Sequence, residues 1–246
     1  MHNLHRFDIA DRVVAASLAR EKYLVVNANA HCVTLSQKET WLRDMFREAD
    51  IAFCDGAGVQ LATKFLKGFV PHRTTPPEWI DAVLERLGPE ARVFWIGGAP
   101  EVVAKAAENF ANRFNVVTVG TQHGYFDAHV DSAESQSLVA RINESEPTLL
   151  LVNMGMPRQE RWLWENWPHI RTGVAITAGA LVDHAAERVS RPPRWVANLG
   201  VEWLVRLCRE PGRLWRRYLL GLPAFGAHVI RYAIQMRLPQ PSTGRS

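Results

Sequence analysis

Residues 51–62 read IAFCDGAGVQLA. An apolar run ends at Asp55-Gly56, and a second apolar-rich stretch with helical spacing follows. A buried strand turning into a helix is half of a βαβ unit. The same pattern recurs along the chain. Strands are expected at YLVVNA (23–28), ADIAFCD (49–55), RVFWIGG (92–98), VVTVGT (116–121), TLLLVNMG (148–155) and VAITAG (174–179). Amphipathic stretches separate them at 32–47, 59–67, 77–87, 101–114, 133–143 and 159–167. Near-continuous apolar strands alternating with helices predict an α/β fold, a parallel sheet covered on both faces.

Ligands of such sheets bind outside the carboxyl ends of the strands. Here those ends are polar or glycine: Asn27-Ala-Asn29, Asp55-Gly-Ala-Gly58, Gly97-Gly98, Gly120-Thr-Gln122, Asn153-Met-Gly155 and Thr177-Ala-Gly179. In a parallel sheet they form one rim. The quoted loop carries the first two glycines of a G-x-G-x-x-G fingerprint but Leu61 at the third, where glycine normally lets helix and strand pack closely. Asp55 stands where a pyrophosphate would approach and would repel it, so a dinucleotide cradle is disfavoured. Two readings of Asp55 stay open: a helix N-cap, or a carboxylate at a strand end serving as a general base.

Composition narrows the class. The chain has 246 residues, 47% hydrophobic and 22% charged, which suits one well-filled α/β domain with an appendage. The start, MHNLHRFDIADR, lacks the apolar core of a signal peptide. The apolar stretch YLLGLPAFGAHVI (218–230) is too short for a span and contains Pro223. Cys32, Cys54 and Cys208 are odd in number and far apart, which fits free thiols in a reducing compartment. Charge is uneven. Residues 191–246 hold ten Arg, no Lys and two acids, a net of +8 against +4 for the whole chain, so residues 1–190 carry −4. A mildly acidic body with a basic tail calls for an anionic partner: nucleic acid, a phospholipid surface or a diphosphate. The boundary is placed there, with a catalytic domain at 1–190 and a basic helical appendage at 191–246. Helices are expected at 194–209, 213–220 and about 225–238, with a break at Pro211-Gly212. Trp195, Leu199, Trp203 and Leu207 step by four, with Arg206, Arg209, Arg213, Arg216 and Arg217 beside them. Aromatic residues and Arg on one amphipathic helix suit a membrane interface; a helix docked on the core with Arg in solvent explains the stripe equally well.

Two more loops carry candidate chemistry. Gly97-Gly98-Ala-Pro100 leads into a helix whose first N–H groups suit an anion. In Gly155-Met-Pro157-Arg-Gln159-Glu160, Gln159 can hydrogen-bond a base or sugar, or serve in capping. The chain lacks D-x-D, H-E-x-x-H, C-x-x-C, G-x-S-x-G and the P-loop motif, which removes support for a metal site, a serine hydrolase and a P-loop NTPase. His123 and His129 flank Asp127 without marking a metal site.

Together these segments resemble the WecG/TagA/CpsF glycosyltransferases, from about Asp8 to Tyr218. Three blocks carry the resemblance: VNANAHCV with DIAFCDGAGVQLA, then VNMGMPRQERW, and most specifically RPPRWVANLGVEWLVRLCREPGRLWRRYL. FWIGGAP and GTQHGYF also sit where members have similar segments. The resemblance implies a Rossmann-like α/β domain with a C-terminal appendage. It implies inverting, metal-independent transfer from a UDP-sugar to a polyprenyl-diphosphate-linked acceptor at the cytoplasmic membrane face, in cell-surface polysaccharide biosynthesis. It places the catalytic base at Asp55 and an active-site arginine at Arg73. Asn27, Asn29, Gly97, Gly98, Gly155, Gln159 and Asp183 are the substrate-binding candidates. Arg206, Arg213, Arg216 and Arg217 are the candidates for the lipid diphosphate or the membrane. No cofactor, metal or nucleic acid is expected, and a homo-oligomer is left open. The chain departs from the family pattern at Asn27, where the family has Thr; at Arg73-Thr-Thr75-Pro-Pro, where it has "RVTG-D"; and at Glu187, where glycine is usual. Two other classes stay in view, a nucleotide-dependent oxidoreductase and a non-catalytic membrane adaptor. The broken fingerprint weighs against the first and the polar rim against the second.

Overall fold

All six expected strands form, and all run parallel: β1 (Tyr23–Ala28), β2 (Ile51–Cys54), β3 (Arg92–Gly97), β4 (Val117–Gln122), β5 (Leu149–Asn153) and β6 (Val174–Thr177). Their order across the sheet is β2-β1-β6-β5-β3-β4. The computed structural model describes residues 1–188, 202–209 and 211–237. The 190/191 boundary and the 194–201 part of the expected C-terminal helix lie outside the described residues.

Register shows why these runs are apolar throughout. Ile51, Val25, Ile176, Leu151 and Trp95 make one row across five strands, all fully buried in one core. One residue along, Leu24, Ala175, Leu150 and Phe94 make a row on the opposite face, in a second core. Successive side chains point to opposite faces, so a sheet buried on both must be apolar at every position. Helices α1 (Arg6–Ala19), α5 (Ile80–Leu87), α6 (Pro100–Phe114) and α9 (Leu181–Ala185) cover the first face. Helices α2 (Ala30–Ser36), α3 (Thr40–Glu48), α7 (Ala133–Ser145) and α8 (Arg158–Asn166) cover the second. This is a Rossmann-like α/β fold.

Several expectations shift in detail. The stretch expected as one helix over 32–47 is two. Ser36 Oγ and Gln37 Nε2 both donate to the Val33 carbonyl, drawing the backbone acceptor away from a continuing helix. Helix α1 and the five-residue α9 had no counterpart in the sequence reading. The edge of β2 is covered: His2 N–H donates to Ala52 O at 2.7 Å, and Thr74 N–H to Cys54 O at 2.9 Å. Covering an edge removes a template for association with other chains.

Helix α4 (Ala57–Lys67) buries only Val59. Beyond the Rossmann-like body, the described residues form α10 (Glu202–Arg209), α11 (Pro211–Trp215), a π turn (Arg216–Leu220) and α12 (Gly221–Arg237). Pro211 opens α11 where a break was expected. Proline is favoured at the first helical position, since its missing N–H has no partner there anyway. Helix α12 runs on directly from the π turn, so it begins at Gly221 rather than near 225, with Pro223 as its third residue. Helix α12 packs back on α2 and α4, with Phe225 buried against the first turn of α4 at Gly58.

Cys32 and Cys54 are buried and Cys208 is exposed. Burial pushes the Cys54 thiol up to about 11, so it stays protonated and unreactive at neutral pH. Titration of the native protein with a thiol reagent at pH 8 should therefore give one fast equivalent, lost in Cys208→Ser, and two more only after denaturation.

Candidate active site

The rim follows from connectivity. The chain leaves β1 over the second face and β6 over the first; it leaves β5 over the second face and β3 over the first. Loops that part in this way open crevices at the strands' carboxyl ends, here at each boundary from β1 through β6 and β5 to β3; the candidate residues gather at the first of these, between β1 and β6, and at the last, between β5 and β3.

The first crevice holds a hydrogen-bonded chain across three strands. Asn27 N–H donates to Thr177 Oγ1 at 3.3 Å, and Thr177 Oγ1–H donates to Asn27 Oδ1 at 3.0 Å. Asn27 Nδ2 donates to Asp55 Oδ2 at 2.7 Å. The polarity is set by the carboxylate. Because it can only accept, the carboxamide NH2 turns toward Asp55, and Asn27 Oδ1 is left to take the Thr177 proton. Asn27 is 5% exposed and Thr177 fully buried, so water does not compete. Asp55 N–H donates to Ala28 O at 2.9 Å, fixing the main chain as well. The N-cap of α4 is Gly56, which places Asp55 one residue outside the helix.

Arg73 joins this end of the rim. Its backbone forms a parallel bridge with Cys54, the residue before Asp55. Gln60 Nε2 donates to Pro71 O at 2.8 Å and ties the 71–75 segment to α4. The Cys54 thiol feels both the Asp55 carboxylate and the Arg73 guanidinium, after the larger effect of burial. Asn29 caps α2, its Oδ1 accepting from His31 N–H at 3.0 Å and Cys32 N–H at 3.1 Å.

The second crevice is built from backbone. Gly97 has φ +130, and a Cβ there would run into the Asn153 carbonyl, so β3 and β5 approach closely only with glycine at this position. Asn153 Nδ2 donates to Ile96 O at 3.1 Å and Leu151 O at 2.9 Å, pinning the strand ends together. Its Oδ1 is buried and finds no partner among the described residues, an acceptor that a ligand N–H or O–H can satisfy. Gly98 packs against Val182 of α9, next to Asp183, and Gly124 N–H donates to Gly98 O at 2.8 Å.

Gln159 links the two crevices. It is 1% exposed. Its Oε1 accepts from Gly155 N–H at 3.1 Å and Gly179 N–H at 3.2 Å, while Nε2 donates to Glu160 Oε1 at 2.7 Å. It therefore shapes the loops after β5 and β6 together. Glu187, just past the C-cap of α9, has φ +59, in the left-handed region.

Of the candidate residues, Asp55, Arg73, Asn27 and Asn29 come together at the β2/β1 end. Gln159 and Gly155 occupy the middle, and Gly97, Gly98 and Asp183 gather at the β3 end. Arg216 is exposed, its guanidinium 5.3 Å over the Trp215 ring. Arg206, Arg213 and Arg217 lie on α10, α11 and the π turn; their side chains lie outside the described set. Thr177 and Asn153 were not among the candidates, although both ended apolar runs as polar residues. Among the described residues no three His, Cys, Asp or Glu side chains gather as a metal site.

The model of the glycosyl transferase WecG/TagA/CpsF family matches residues 1–239.

Two stability tests follow from the rim. Thr177→Val leaves two buried groups of Asn27 without partners and should cost about 1–3 kcal/mol in urea denaturation, with Thr177→Ser recovering most of it. Glu187→Gly relieves the left-handed backbone and should gain up to about 1 kcal/mol in the same assay.

Proposed function

The chain belongs to the WecG/TagA/CpsF glycosyltransferase family, and from that premise we propose an inverting, metal-independent transfer of a sugar from a UDP-sugar to a polyprenyl-diphosphate-linked saccharide. Asp55 takes the proton of the attacking acceptor hydroxyl. The acceptor oxygen bonds to the anomeric carbon from the face opposite the leaving group. The bond from that carbon to the diphosphate oxygen breaks, and its electron pair leaves with UDP. Charge growing on the leaving diphosphate is met by Arg73 and by backbone N–H groups at the glycine-rich start of α6, fixed donors that need no reorganisation during the reaction.

The observation that carries this reading is the Thr177–Asn27–Asp55 chain at one end of a polar rim. A base must be held in one orientation relative to the atom it deprotonates, and a buried amide of set polarity does this for one carboxylate oxygen. From β2 to β3 the rim crosses four strand spacings, about 19 Å, room for a nucleoside diphosphate sugar lying along it. We place the nucleotide toward Gly97, Gly98, Asn153 and Asp183, and the sugar toward Asn27, Asn29 and Asp55. Gln159 acts by holding the Gly155 and Gly179 loops. The donor sugar, of N-acetylmannosamine type, glucose or a uronic acid, is the part of the reading that a donor screen decides.

The acceptor's lipid places the reaction at a membrane surface, and the cytoplasmic face is where UDP-sugars are available. Among the described residues no helix is long and apolar enough to cross a membrane. The arginines of the appendage, Arg206, Arg213, Arg216 and Arg217, bring the enzyme to anionic lipid or meet the acceptor diphosphate, and α12 against α2 and α4 helps close the site.

The test is UDP release from a panel of UDP-sugars with a short-chain lipid-diphosphate acceptor. Asp55→Asn should lower turnover by at least about 100-fold while UDP binding, measured by calorimetry, stays within a few fold. Near-normal turnover in that variant would remove Asp55 as the base.

A further inference from the structure

Helix α4 begins two residues after Asp55 and leaves most of its surface uncovered. Leu61 and Phe65, one turn apart, are 69% and 61% exposed; Phe69 and Val70, just past its end, are 45% and 53% exposed. Lys64 and Lys67 are exposed among them. From 56 to 77 the chain has no Asp or Glu. Large apolar side chains packed this closely on a surface mark a site of association.

The charge selects the partner. Lysine is depleted at interfaces between protein chains, whereas this ridge carries two lysines and no acid. The neighbouring α12 continues the pattern: no acid occurs from 211 to 237, and Ile230 and Ile234, one turn apart, are 57% and 56% exposed. Bulky apolar groups interleaved with cations fit a surface whose interior is apolar and whose headgroups are anionic.

We infer that Leu61, Lys64, Phe65, Lys67, Phe69 and Val70 form a contact with an anionic lipid bilayer, seated on the catalytic domain itself and separate from the arginines of the appendage. By the helical rise, Phe65 lies about 12 Å from the start of α4, so the element that follows the base also carries the lipid contact. This rests on the reading that the acceptor is held in a membrane, and it supplies the orientation that reading needs: the β2 end of the rim faces the lipid.

The experiment measures partitioning of the full chain onto sucrose-loaded vesicles of phosphatidylcholine with about a third phosphatidylglycerol. Phe65→Ser/Phe69→Ser should partition roughly tenfold less, with an unchanged unfolding midpoint because both side chains are exposed. It should keep transfer to a water-soluble short-chain acceptor and lose transfer to a long-chain acceptor in vesicles. Lys64→Glu/Lys67→Glu should weaken binding to these vesicles several-fold and lower its salt dependence, with the arginines of the appendage supplying what remains. Unchanged partitioning in both variants overturns the inference. So does a solution dimer that Phe65→Ser/Phe69→Ser converts to monomer without altering vesicle binding, which would give the ridge to a second copy of the chain. Absence of transfer with every acceptor would remove the proposed reaction, whereas the ridge stands or falls on vesicle partitioning alone.

Discussion

Burial of one parallel sheet on both faces is the constraint from which the rest of this molecule follows. Parallel strands cannot be joined by tight turns, so every connection crosses over a face and returns. With both faces filled by helices, ligands reach the sheet only at its ends. All six strands run the same way, so all six carboxyl ends open on one side. The polar residues that would disrupt a fully apolar strand are displaced to that side, and a ligand finds them gathered there.

Within the rim, two kinds of construction alternate. At the β2–β1–β6 end, side chains make the site, joined in one chain of hydrogen bonds from Thr177 through the Asn27 carboxamide to Asp55. At the β5–β3 end, backbone makes the site, because Gly97 and Asn153 approach too closely for a side chain at the glycine. Gln159 ties the middle, bonding the loops after β5 and β6 with one oxygen. A charged group that exchanges protons needs a fixed direction, and a bound anion needs N–H groups at close approach. The two ends answer these two requirements.

The sheet was legible in the sequence because its strands carry a strong local signal, apolar at every position and halted by a polar or glycine residue. Helix α1 was not, because its core face uses Ala10, Ala16 and Ser17 alongside Ile9 and Val13, and small residues leave a weak periodic signal. The division of 32–47 into two helices depends on side chains bonding back to the Val33 carbonyl, which apolar spacing does not record. At the site, the residue types at the strand ends were readable one by one, but their grouping was not. Thr177 and Asn27 are 150 residues apart and meet only because β6 lies beside β1. Strand order is a property of the whole chain, and no local stretch carries it. The role of Asp55 was open between cap and base from its own neighbours, and family resemblance tipped it toward the base.

The Asn27–Asp55 contact is one atom away from a different chemistry. With oxygen in place of Asn27 Nδ2, two carboxyl groups would face each other across the same 2.7 Å. Like charges at that range do not both ionise, and the pair would hold a proton between them. The amide nitrogen thus decides whether this corner of the rim offers a lone carboxylate or half of an acid dyad.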